Sequence, residues 1–146
     1  MPRPPDRPLE LDLSADHDGL VAGLAAIERH CTVCGIPAVA VSRILAVFEE
    51  IFTNTMKYGY QGRADARIRA TLAGGDPLRL VVEDSAPPFD PTRWNAAPDL
   101  AGDVTERPVG RLGIALVMGL SQSARWEALA PGNRLTLELS AGEETS

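Results

Sequence analysis

The chain contains a single lysine, Lys57, among 146 residues. Tyr58 follows it, so no GK[ST] exists and a P-loop phosphate site is excluded. Aromatic residues make up only 5% of the chain, which leaves Leu, Val, Ala and Ile to build the core. Positive charge is scarce too. The net charge of −6 argues against a broad nucleic-acid surface, which needs clustered basic residues. No apolar run approaches the roughly 20 residues that span a bilayer. The amino-terminal "MPRPPDRPLE" lacks the apolar centre of a signal peptide. A cytoplasmic protein that meets neither membrane nor nucleic acid is the expectation. Cysteine occurs twice, in "HCTVC" (His30, Cys31, Cys34), with no second CxxC and with His17 as the only other histidine. The motif falls near the end of a helix, not at the start of one after a strand. It predicts two small, partly buried thiols more readily than a redox or zinc centre.

An apolar content of 45% over this length suits one domain with one core. Residues 1–8 read as a loose Pro- and Arg-rich tail, 9–140 as the domain and 141–146 as a second tail. "LELDLS" alternates with period two and predicts a strand. Residues 16–34 show helical spacing, with Asp16 as N-cap and Gly35 as stop. Pro37 opens a second helix that runs to about Tyr58. "ARIRATLAG" and "LRLVVED" form a hairpin over "GGDP". Ser85 to Val109 is a long, proline-rich loop, of a length that is usually functional or disordered. "GRLGIALVMGLSQ" is a helix, and "ARWEAL" with "NRLTLELS" closes the domain as a hairpin. This order predicts an α+β two-layer sandwich, with three helices on one face of a mixed, mostly antiparallel sheet.

Within the second helix, "FEEIFTNTMKYGY" separates into two sets. Val41, Ile44, Leu45, Phe48, Ile51, Phe52 and Thr55 lie within about 60 degrees of Phe48 and form a core stripe. Glu50, Asn54 and Tyr58 form an i, i+4, i+8 line along its edge. The amide oxygen of Asn54 suits a hard cation such as Mg²⁺, and Glu50 suits a general base. Spacing alone leaves a solvated polar face open as the alternative. Asp84 ends a strand just before the long loop, where it can accept from an exocyclic amine or simply start a turn. Gly110 and Gly113 stand at a helix start, with Arg107 and Arg111 beside them. A helix start of this kind attracts phosphate.

Taken in order, "EIFTNTMKYGY", "VEDSAPPFDP" and "GRLGIALV" resemble the N-box and the two glycine boxes of the GHKL ATPase superfamily (Bergerat fold). "PPFDP" and "ERPVGRLGIALV" are most similar to its small, free-standing RsbW-like anti-sigma-factor serine/threonine kinases. The resemblance covers about residues 9–140. It implies ATP and Mg²⁺ as cofactors, Asn54 as the Mg²⁺ ligand, and Glu50 as the base for the attacking hydroxyl. It implies Asp84 on the adenine amino group, with Ala86 next to it and Thr136 near the base. Arg107, Gly110, Arg111 and Gly113 are implied on the phosphates. The implied activity is phosphorylation of a serine on an anti-anti-sigma STAS-domain partner, alternating with sequestration of a sigma factor, in a family that often forms a homodimer.

Two positions depart from the superfamily pattern. Ala86 stands where a glycine is usual, and Gly132-Asn133 replaces glycine-threonine. They motivate a second expectation, a catalytically weak or inactive partner-binding regulator of the same fold. A detached histidine-kinase catalytic domain fits less well, since no histidine sits in a phospho-accepting setting.

Overall fold

The computed structural model describes residues 7–60, 65–90 and 111–142. Five strands form one sheet: β1 (Leu9–Ser14), β2 (Arg67–Ala73), β3 (Leu78–Asp84), β4 (Ser123–Leu129) and β5 (Gly132–Leu139). Their order is β1-β2-β3-β5-β4. All four pairings are antiparallel, so the described sheet has no parallel pair. Alternation selects the buried face of each strand. Ile68, Ala70 and Leu72 of β2, Leu78, Leu80 and Val82 of β3, and Leu135, Leu137 and Leu139 of β5 are all buried.

Three helices supply the second layer: α1 (His17–Val33), α2 (Ala38–Asn54) and α3 (Arg111–Leu120). Asp16 caps α1, its Oδ1 accepting from the Gly19 N–H at 2.8 Å and from the Ser14 hydroxyl at 2.8 Å. Helix α1 packs on β1 and α2, and α3 packs on α2. Because α2 has a helix on both sides, its buried arc is shifted from the expected stripe. It takes in Ala40 and Val47 with Ile44, Phe48, Ile51 and Phe52, while Val41, Leu45 and Thr55 are half-buried. Phe48 and Phe52 meet at 5.5 Å between ring centroids.

The opposite face of the sheet carries a row of alternating charge. Asp12, Arg69, Glu83, Arg134 and Glu127 occupy successive register positions from β1 to β4. Glu83 takes Arg69 at 3.2 Å on one side and Arg134 at 2.6 Å on the other. Such surface pairs contribute at most about 1 kcal/mol each. Their larger effect is on register, since a one-residue slip would put these charges against the helices.

Candidate functional site

Period two carries the buried face of β3 through Leu80 and Val82 to its last residue, Asp84. A carboxylate is therefore buried where the strand ends. Its Oδ1 accepts from the Ala86 N–H at 2.9 Å and from Asn133 Nδ2 at 2.9 Å. Its Oδ2 has no donor among the described residues. Burial pushes the Asp84 carboxyl above the usual carboxylate range, and the bonds from Asn133 and Ala86 oppose that shift. A buried acceptor left half satisfied has room for a further donor.

Asn133 is the register partner of Asp84 on β5. The turn before it depends on Gly132, which has φ of 115° and lies so close that a side chain would overlap the Asp84 carbonyl. The Asn133 Oδ1 accepts from Trp126 Nε1 at 2.8 Å and from the Phe89 N–H at 2.8 Å. Sequence reasoning treated Asn133 as a departure from pattern; it belongs to the site. The signal was present, since residues 133, 135, 137 and 139 share one face of β5.

The same parity corrects the expectation for Thr136. It lies on the opposite face of β5, facing outward with Arg134 and Glu138, and pairs in register with Val81 and Arg125. Thr136 is on the wrong side of the sheet to reach a ligand at Asp84.

The end of α2 arrives beside Asp84 through a π-helical turn, Thr55–Gly59, closed by the Tyr60 N–H on the Thr55 carbonyl at 2.8 Å. Turns of this type often mark functional sites. A Cβ built on Gly59 would stand 3.1 Å from the Ala86 methyl. That methyl is buried against the turn. The buried Tyr60 hydroxyl donates to the Arg67 carbonyl at 2.7 Å and accepts from the Ser85 N–H at 2.6 Å. These contacts join the turn after α2 to the residues that follow β3.

One turn earlier, Asn54 Nδ2 donates to the Glu50 carbonyl at 3.0 Å, which sets the orientation of the amide. Glu50 is half-buried and Glu49 exposed. Lys57 is exposed and makes no ion pair among the described residues. The Tyr58 side chain, Arg107 and Gly110 lie outside the described residues. Arg111 opens α3 and Gly113 is in its first turn, on the helix packed against α2. Cys31 and Cys34 are free and buried. Among the described residues no group of three His, Cys, Asp or Glu side chains could hold a metal, and no helix is long and apolar enough to cross a membrane.

An antiparallel sheet under three helices, with a half-satisfied carboxylate ending the third strand beside a Glu-xxx-Asn helix, defines a GHKL-type ATPase fold. The chain belongs to the histidine kinase-like ATPase domain family, whose profile matches residues 13–139. Family membership implies an ATP site. The fold is shared with the crystal structure of the RsbU and RsbW domains of Rv1364c from Mycobacterium tuberculosis, at a TM-score of 0.64 and 20% identity. That match covers 96% of this chain and 34% of the other, so the present chain spans about a third of its length. No curated protein matches the chain.

The donors present fit the implied groups. The buried Oδ2 of Asp84 matches an exocyclic amine, and the Asn54 amide offers a hard, neutral oxygen. A Mg²⁺ held largely by phosphates and water needs few protein ligands.

Proposed function

We propose that the domain is a cytoplasmic Mg-ATP-dependent protein serine/threonine kinase. Its substrate is a serine on an anti-anti-sigma protein of the STAS type, and the same chain sequesters a sigma factor, as a homodimer. The observation that carries the ATP-dependent part is the Asp84 carboxylate, with one oxygen held by Ala86 and Asn133 and the other without a donor among the described residues. The choice of partners is supported by the RsbW-like motifs in "PPFDP" and "ERPVGRLGIALV" and by the shared fold.

Bound Mg-ATP supplies the phosphoryl group and the cationic charge that neutralises it in transfer. Asp84 Oδ2 would accept the base's amino hydrogen and orient the nucleotide. Asn54 would hold the metal through its amide oxygen. Glu50, half-buried one turn before Asn54, takes the proton from the attacking serine hydroxyl. Arg107, Gly110, Arg111 and Gly113 would draw the phosphates by charge and backbone N–H groups, the last two from the start of α3.

The reading as a partner-binding regulator without catalysis rested on Ala86 and Asn133. Against that reading, the methyl of Ala86 packs on Gly59, and Asn133 holds Asp84.

Incubation with Mg-ATP and a cognate STAS-domain partner tests the proposal. Phosphoserine should form on the partner. Glu50→Ala should lower transfer by about 100-fold or more and leave ATP affinity within about twofold. A folded wild-type chain that phosphorylates no such partner would sink the kinase assignment. Loss of ATP binding in Glu50→Ala would give Glu50 another role.

A further inference from the structure

The side chain of Asn133 is held in one orientation by five partners. Its Oδ1 faces two groups that can only donate, the Trp126 indole N–H and the Phe89 backbone N–H, each at 2.8 Å. Its Nδ2 faces three acceptors: Asp84 Oδ1 at 2.9 Å, the Pro87 carbonyl at 3.2 Å and the Ala86 carbonyl at 3.3 Å. Turning the amide over would set donor against donor and acceptor against acceptor at all five contacts. Asn133 can therefore only donate to Asp84. That donation, with the one from the Ala86 N–H, favours the ionised carboxylate, whose remaining oxygen can only accept.

Trp126 is the side-chain donor to the Asn133 Oδ1. It sits on the edge strand β4, half-buried, and its ring packs on the core while its N–H reaches Asn133.

We infer that Trp126 and Asn133 are positioning residues that set base selectivity, holding Asp84 as a pure acceptor so that the site takes a 6-aminopurine and rejects a 6-oxopurine. The inference rests on the reading that Asp84 meets the base. A 6-amino group donates to the vacant oxygen. A 6-oxo group would bring oxygen against carboxylate, an unpaired buried contact of the kind that separates substrates strongly. Trp126 acts one residue removed from the ligand, through the amide of Asn133.

The test compares Mg-ATP and Mg-GTP affinities by calorimetry for the full chain and its Trp126→Phe, Asn133→Thr and doubly substituted variants, each checked for folding by thermal melting. Phenylalanine keeps the apolar ring and removes the N–H. A threonine hydroxyl can rotate to donate or accept. The wild-type chain should prefer ATP. Each single variant should lower the ATP-to-GTP preference about fivefold, the effect of roughly one hydrogen bond. The double variant should show no further loss than Asn133→Thr, because both act through one amide. A merely structural role for Trp126 would weaken both nucleotides together and leave the ratio unchanged. A Trp126→Phe ratio within about twofold of a wild-type chain that prefers ATP would overturn the relay and spare the ATP reading. A folded wild-type chain that binds neither nucleotide, or both equally, would overturn the ATP reading and the relay with it.

Discussion

Gly59 faces Ala86 so closely that a Cβ on the glycine would stand 3.1 Å from the alanine methyl. This contact joins the turn after α2, the helix of Glu50 and Asn54, to the turn after β3, the strand of Asp84. A glycine on one side makes room for the methyl on the other.

Gly59→Ala should therefore press the two turns apart. We expect a loss of about 1–3 kcal/mol, as for other overpacked sites, visible as a lower melting temperature. Gly59→Ala combined with Ala86→Gly should recover most of it, because the methyl is moved and not added. A double variant no more stable than Gly59→Ala would show that the two residues are not coupled.

Asp84→Asn should separate stability from binding. The folded state holds the Asp84 carboxyl above its ordinary value of 3.8, chiefly through burial. The stability this group contributes is thus present below about 3.8 and is lost as pH rises through the raised value. The variant has no such loss, so its stability relative to wild type should increase across that window and remain higher at neutral pH. Urea unfolding of both chains at pH 4 and pH 7 measures this. A gap that narrows with rising pH would contradict the burial of an ionised Asp84.

Cys31 is fully enclosed, and burial, with the charge of Cys34 adding to it, pushes its thiol up to about 11. In the folded chain at pH 8 it should react with a disulfide reagent at least about 100-fold more slowly than in urea. Reaction at the unfolded rate would contradict that burial. Purified protein should also contain no stoichiometric zinc.

Much of the scaffold was legible in the sequence because each element carries its own period. The alternation of "RIRATLA" and "LRLVVED", the cap at Asp16 and the helical stripe through Phe48 and Phe52 are local signals, and the elements lie where they predict. The order of the three motifs carried the family. What misled was contact between segments. Asn133 looked like a fault until the register set it opposite Asp84, and no local period told that the Ala86 methyl lies against Gly59. Thr136 is a different case, since counting by twos from Leu135 and Leu137 already puts it on the outer face. The π-helical turn had no period to reveal it, and it ended α2 at Asn54, short of the expected Tyr58.

The central claim is that a nucleotide base docks on Asp84. Calorimetric titration of Mg-ATP into wild-type and Asp84→Asn protein tests it most directly. In the variant the carboxamide oxygen can keep the bonds from Ala86 and Asn133, and its N–H₂ then opposes the incoming amine. Wild type should bind with micromolar affinity and the folded variant at least about tenfold more weakly, the effect of losing a charge-assisted hydrogen bond. Equal affinities for the two folded proteins would contradict the account.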